Sequence, residues 1–122
     1  MVSRLEGLEE EERKSMVIKN IFWGTPQFTM EEMFETLLKT EDFRLERIIS
    51  SGQATPFGEW FDQDSNEWVV LLSGSAGLLF EGEEEVSTLH PGDYIHIPAH
   101  QRHRVAWTDP EQKTVWLTLH YR

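Results

Sequence analysis

The chain has 122 residues with 22 acidic and 11 basic side chains, and its formal net charge of -11 would repel the phosphate groups of nucleic acid. It has no cysteine, which excludes disulfides, thiolate metal sites and cysteine nucleophiles. The length favours one domain, and the apolar runs are far shorter than the roughly 18 residues of a membrane span. We therefore expect a cytoplasmic, single-domain protein that binds neither nucleic acid nor a membrane.

The N-terminal third divides into three predicted parts. Residues 1–16 are highly charged and predict a lead-in without a functional role. Residues 17–26, VIKNIFWGTP, predict a short extended strand that ends at a glycine and a proline. The segment MEEMFETLLKT predicts a short helix capped by Thr29, because its apolar residues recur with spacings of three and four. We expect residues 17–42 to pack on the domain that follows.

From Phe43 onward the apolar period changes to about two, and seven short segments follow between turn signals. Such spacing is typical of an all-β sandwich or barrel. WVVLL and TVWLTLHY are apolar on both faces, which predicts that one face lines the barrel while a second layer or another subunit covers the other. The predicted strands are FRLERIIS, EWVVLLSG, AGLLFEG, EVSTLH, DYIHIPA, HRVAWT and TVWLTLHY.

Three of the five histidines lie in the stretch HIPAHQRHRV, residues 96–105. His96 alternates with two isoleucines and should face away from the core that they fill. His103 opens the next strand, and its alternation with Val105 and Trp107 points its imidazole into the barrel. An inward histidine beside apolar side chains is a metal ligand, a general acid or base, or a core residue held by one hydrogen bond. The residues leave these three interpretations open.

The same stretch resembles the second motif of the cupin family, in which a glycine, a proline and a second glycine precede a metal-binding histidine. Gly92, Pro98 and His103 match that motif, while His100 stands at the place of the second glycine. Glu67, followed by six residues and a glycine, is similar to the end of the first cupin motif.

This resemblance implies an all-β protein with a cupin-type antiparallel β-barrel, also called a double-stranded β-helix or jelly roll, over residues 43–122. The short predicted helix would precede the barrel. The resemblance also implies a homodimer through an apolar outer sheet face and a small-molecule ligand inside the barrel.

The first motif departs from the family pattern, which normally places two histidines before the glutamate. This chain reads GEWFDQDSNE there and has no histidine. The two histidine positions fall on Trp60 and Asp62 with one spacing and on Phe61 and Gln63 with the other. The three-histidine, one-glutamate iron site of cupin dioxygenases is therefore not expected.

The metal ligands that the resemblance implies are Glu67, His103 and either Asp62 or Gln63, with Asp64 as a nearby carboxylate. A site with one imidazole and several oxygens favours Mn(II), or Zn(II) at reduced affinity, over tightly held iron. We expect a weakly held divalent metal ion, zinc, manganese or iron, as the cofactor. The alternative is that the acidic and amide residues form a polar turn without a metal.

Glu67 and His103 are also the candidate catalytic residues, since a carboxylate and an imidazole can transfer protons with or without a metal. The predicted function is binding of a small organic ligand, with enzymatic activity left open. The alternatives are a metal-free binding or sensing module and a structural barrel that acts by oligomerising. The candidate ligand-binding residues are Trp60, Asp64, His100, Trp107 and His120.

Overall fold

A computed structural model describes residues 16–122, and every regular secondary-structure element in this range is a β-strand. The rest of the predicted lead-in lies outside the described residues. The eight strands are β1 Met33–Lys39, β2 Phe43–Ser50, β3 Asn66–Ser73, β4 Ala76–Phe80, β5 Ser87–Leu89, β6 Tyr94–Ile97, β7 His103–Thr108 and β8 Thr114–Tyr121.

The strands form two antiparallel sheets. The larger sheet has the order β1-β2-β8-β3-β6, and the smaller sheet has the order β5-β4-β7. The prediction of an all-β antiparallel barrel is confirmed, and each of the seven predicted segments overlaps one strand. Three of them, FRLERIIS, HRVAWT and TVWLTLHY, coincide with β2, β7 and β8 from end to end.

The helix predicted in MEEMFETLLKT was wrong, because these residues form the edge strand β1. β1 pairs antiparallel with β2, and a register shift between Thr36 and Leu38 leaves one extra residue in β1. Such a bulge interrupts strict alternation, so neighbouring apolar residues imitate a helical spacing. Pairing with β2 supplies the backbone hydrogen bonds that a helix would otherwise have made.

The strand predicted at residues 17–26 was also wrong, since this segment is irregular with a turn at 21–24. It is held against the outer face of the larger sheet through Arg47, which is only 7% exposed. The Arg47 guanidinium donates to the carbonyls of Ile21, at 2.8 Å, and Trp23, at 2.6 Å, and pairs with Glu35. In residues 16–122, no helix has the length and apolar character needed to cross a membrane.

The apolar core lies between the two sheets. β3 and β8 are interior strands of the larger sheet and contribute Leu71, at 0% exposure, and Trp116, at 5%, to this core. The core cluster consists of Val69, Leu71, Ala76, Leu78, Leu89, Ile97 and Trp116. These side chains fill one end of the space between the sheets and form the floor of a cavity at the other end.

Candidate functional site

A cavity of about 260 Å³ occupies the space between the sheets that the core leaves open. Its volume is close to the lower end of the range for small-molecule sites. The lining combines an apolar floor with a group of polar side chains, among which are three carboxylates, one arginine and two histidines. The lining residues are Glu32, Phe34, Arg44, Glu46, Ile48, Phe61, Gln63, Glu67, Val69, Leu78, Ile97, His103, Val105, Trp116, Thr118 and His120.

Strand register explains why the polar residues lie at one end of the cavity. On the inner face of the larger sheet, His120 of β8 stands opposite Glu67 of β3 on one side and Arg44 of β2 on the other. Directly opposed side chains have Cβ atoms roughly 5 Å apart. The next row inward contains Thr118 and Glu46, and the row after it is entirely apolar. The cavity therefore runs from a charged rim to an apolar floor.

His103 and Glu67 face each other across the gap between the sheets. Nε2 of His103 lies 3.6 Å from Oε2 of Glu67, and both side chains are largely buried. Nδ1 of His103 lies 2.8 Å from the Gln101 carbonyl, which can only accept, so Nδ1 carries a proton and donates it. This bond orients the ring and leaves Nε2 directed at the carboxylate.

The electrostatic surroundings of His103 favour its charged form. Burial by itself would lower the pKa of the imidazole, but the contact with Glu67, the Gln101 carbonyl and the Glu67 charge together raise it by more. The net pKa of His103 lies above its ordinary value of 6.5. The contact with Glu67 therefore favours the imidazolium form of His103.

A second imidazole and carboxylate face the same cavity. Nε2 of His120 lies 3.8 Å from Oε1 of Glu46, and Nε of Arg44 lies 3.7 Å from Oε2 of Glu46. His120 is 9% exposed, whereas the Arg44 side chain is 44% exposed at the rim. Basic and acidic side chains thus alternate along the wall from His103 to Arg44.

Three buried side-chain oxygens in the cavity lining lack a hydrogen-bond partner in the described protein. They are Oε2 of Glu67, Oε1 of Gln63 and Oγ1 of Thr118. Buried polar groups in native proteins are nearly always paired with protein, water or a ligand. All three residues line the same cavity, so a polar ligand or ordered solvent there is the available partner.

The structure brings only part of the predicted site together. Gln63 lines the cavity with Glu67 and His103, but Asp62 and Asp64 lie outside it. Oδ1 of Asp62 lies 3.0 Å from Nδ1 of His100, and Oδ1 of Asp64 lies 3.6 Å from Nε2 of the same ring. This exposed cluster braces the loop that carries Gln63, whose carbonyl accepts from the His100 backbone N–H at 2.8 Å.

The two tryptophans predicted near the ligand lie outside the cavity lining. Trp60 lies beside the Arg102 guanidinium, whose carbon is 5.8 Å from the ring centroid. Trp107 is 36% exposed, because a register shift between Gly77 and Leu78 leaves one extra residue in β7 after Val105. The bulge reverses the alternation and turns Trp107 away from the face that carries His103. His120, in contrast, does line the cavity.

Sequence reasoning missed several lining residues, above all Thr118 and Glu46. Each is a polar residue in the middle of a strand and in step with inward-facing neighbours, Thr118 with Trp116 and Glu46 with Ile48. A polar residue at a central position of a doubly covered strand is the signal that could have identified them.

The predicted metal site fits the structure incompletely. Within residues 16–122, no group of three or more His, Asp or Glu side chains has an arrangement able to hold a metal ion. The facing donors are Nε2 of His103 and Oε2 of Glu67, and the Gln63 amide oxygen lines the same cavity. One imidazole and two oxygens suit a weakly held divalent ion better than a tightly bound one.

A profile of the Cupin domain family matches residues 49–120. The match spans more than half of the chain and both of the motifs noted in the sequence. The chain therefore belongs to the cupin family, and the resemblance inferred from its motifs is confirmed.

Solved structures agree with this assignment. A candidate mannose-6-phosphate isomerase from Ralstonia eutropha is 47% identical, with a TM-score of 0.83 over 86% of this chain and 97% of that one. The polyketide cyclase RemF from Streptomyces resistomycificus is 23% identical, with a TM-score of 0.65 over 75% of this chain and 66% of that one.

A cupin superfamily protein from Desulfitobacterium hafniense is 14% identical, with a TM-score of 0.65 over 79% of this chain and 82% of that one. At this level of identity the Streptomyces and Desulfitobacterium proteins show the fold alone. The search of curated proteins returned no match.

Proposed function

We propose that the barrel binds a small organic molecule and that Glu67 and His103 exchange protons with it. The observation that carries this proposal is that Glu67, Gln63 and Thr118, each with a buried side-chain oxygen that has no partner, line one cavity together with His103. Leaving a buried polar group unpaired costs roughly 1–3 kcal/mol. A ligand that pairs these atoms recovers that cost, so binding stabilises the fold.

The chemistry available from these residues is general acid–base catalysis. Below its raised pKa, His103 presents an N–H at Nε2 that can be donated to a ligand oxygen, while Glu67 can accept a proton from a neighbouring position. The two groups act on adjacent atoms because they lie 3.6 Å apart. The same arrangement also serves a binding or sensing module, which holds the ligand without transforming it.

The first test uses isotope-labelled protein treated with a chelator. A panel of sugars, sugar phosphates, hydroxy acids and amines is added, and amide shifts are followed by NMR at Glu67, His103 and Thr118. We expect at least one compound class to shift these amides. Val105→Phe narrows the cavity and should abolish the shifts. If nothing in the panel shifts these amides, or if Val105→Phe leaves the shifts unchanged, the proposed binding site is wrong.

The Ralstonia relative makes mannose-6-phosphate isomerisation the first reaction to assay. If this chain catalyses it, Glu67→Gln and His103→Gln should each lower kcat by at least about 100-fold, the usual contribution of a general acid or base. Asp62→Asn is the matched control, because Asp62 lies outside the cavity. Equal losses in all three variants would contradict the assigned roles.

A weakly held divalent metal ion is the second candidate for the same site, favoured by the unpartnered oxygens of Glu67 and Gln63 beside Nε2 of His103. Such an ion would polarise a ligand oxygen. Elemental analysis of protein purified without chelator should find zinc, manganese or iron in the wild type and in Asp62→Asn. The metal should be lost from Glu67→Gln and His103→Ala, and retention in both would exclude this site.

We further propose that the protein is a homodimer. All seven residues of β1 are exposed, including Phe34 at 61% and Leu38 at 54%, and the preceding segment exposes Trp23 at 63% and Met30 at 86%. Exposed apolar side chains concentrated on an edge strand and the segment before it are typical of interaction sites. A second copy of the chain is the expected partner, and the cytoplasmic location stays a prediction.

A further inference from the structure

We infer that the ligand is an uncharged polyhydroxylated molecule, such as a sugar or cyclic polyol, and that Thr118 on β8 is one of its contacts. This inference rests on the proposed function, because it names the class of ligand for the same cavity. The inference rests on the excess of hydrogen-bond acceptors over donors in the cavity lining and on the position of Thr118.

Thr118 is 1% exposed, lines the cavity and has a hydroxyl without a partner in the described protein. It lies in the middle of β8, between Val69 of β3 and Glu46 of β2. Because both neighbouring strands fix its backbone, the side chain is held toward the cavity and away from solvent. An aliphatic residue of the same shape would avoid the cost of the unpaired hydroxyl.

The polar wall offers mainly acceptors to a ligand. Oε2 of Glu67 can only accept when ionised, Glu46 adds a second carboxylate, and Nε2 of His120 can accept in the neutral ring. A carboxylate or phosphate ligand brings further acceptors and negative charge to this wall. Arg44 is the one Lys or Arg side chain in the lining, and it is half-exposed and directed at Glu46. The wall therefore disfavours anions.

A cationic ligand matches the acceptors but not the whole site. The Gln63 amide and the Thr118 hydroxyl also donate, and an ammonium group has no lone pair to accept from them. A hydroxyl group both donates and accepts, so several hydroxyls on one small molecule satisfy Thr118, Glu67 and His103 together. The apolar floor, including Ile48 and Trp116, suits the carbon face of a ring.

The test compares pairs of compounds that differ by one phosphate group. D-mannose, D-glucose and myo-inositol, each beside its monophosphate, and choline as a cation are titrated by NMR into chelator-treated protein. We expect the neutral compounds to shift the amides around Thr118 and to bind at least tenfold more tightly than their phosphates and choline.

Thr118→Val and Thr118→Ser test the contact itself. Thr118→Val should weaken binding of the neutral compounds at least fivefold while leaving the melting temperature unchanged or a few degrees higher. Thr118→Ser keeps the hydroxyl and should retain wild-type affinity. Ser73→Ala is the matched control, because the Ser73 hydroxyl is also buried and unpartnered but lies outside the cavity lining. It should leave affinity unchanged.

The outcomes separate this inference from the proposed function. Tighter binding of the phosphates or of choline would overturn the polyol assignment while leaving the cavity a binding site. If none of the compounds, neutral, phosphorylated or cationic, shifts the cavity amides, the polyol assignment is wrong. That result would also count against the proposed function. Wild-type affinity in Thr118→Val would remove Thr118 from the contacts.

Discussion

Replacing Glu67 by Gln should reverse the direction in which the protein shifts the pKa of His103. Burial lowers this pKa and is the largest influence on it, whereas Glu67 supplies two of the three influences that raise it. Glutamine removes the charge and leaves the Gln101 carbonyl as the remaining influence in favour of the imidazolium. The pKa of His103 in Glu67→Gln should therefore lie below 6.5.

The energy at stake follows from the separation of the two groups. Two unit charges at 3.6 Å attract with roughly 4–5 kcal/mol at an effective dielectric constant near 20. The cost of desolvating both groups offsets part of this attraction. We expect Glu67→Gln to lower the free energy of unfolding by about 2 kcal/mol at pH 6, where the pair is charged, and to be neutral or stabilising at pH 9.

The pH dependence of stability should change sign with the substitution. In the wild type the folded-state pKa of His103 is raised, so its contribution is complete below about pH 6.5 and is lost as the pH rises through the folded value. In Glu67→Gln the folded pKa is lowered, so the contribution is complete above about pH 6.5 and is lost as the pH falls.

NMR titration of the histidine ring protons and urea unfolding between pH 5 and 9 measure both effects on chelator-treated protein. Glu46→Gln is the control, because Glu46 lies beside His120 and should leave His103 unaffected. If His103 in Glu67→Gln still titrates above 6.5, or if the stability difference is equal at pH 6 and pH 9, the carboxylate does not hold the imidazole in its charged form.

Two further predictions concern the fold and the assembly. Gly74→Ala should lower the free energy of unfolding in urea by about 3 kcal/mol, because a Cβ at this positive-φ position would lie 2.4 Å from the Thr114 hydroxyl. Gly92 also has a positive φ but has open space around it, so Gly92→Ala should lower the free energy by about 1 kcal/mol. Equal losses in the two variants would contradict this steric argument. Leu38→Lys should shift the mass in light scattering from dimer toward monomer, while Phe57→Lys, at a residue 97% exposed elsewhere, should not. A wild-type monomer at micromolar concentration would refute the homodimer.

Alternation of apolar residues was a reliable guide in strands that contain no bulged residue of their own. FRLERIIS and TVWLTLHY become β2 and β8 without a shift at either end, since both are paired along their length. The same alternation was misleading in strands where a bulge adds a residue. The bulge in β1 made a strand resemble a helix, and the bulge in β7 turned Trp107 away from the cavity. A bulge depends on the partner strand, so a local pattern does not reveal it.

The sequence by itself determined the class of the protein, because strand periodicity, turn residues and two spaced motifs lead to a cupin barrel. The same patterns place His103 on an inner face and name Glu67 as its partner in the site. Tertiary structure alone decided what surrounds that pair. Register between β2, β8 and β3 places Arg44, Glu46 and Thr118 around the same cavity, while the loop before β3 directs Gln63 inward and Asp62 outward. The physical reason is that periodicity assigns a residue to a face, whereas its neighbours across a sheet come from distant parts of the chain.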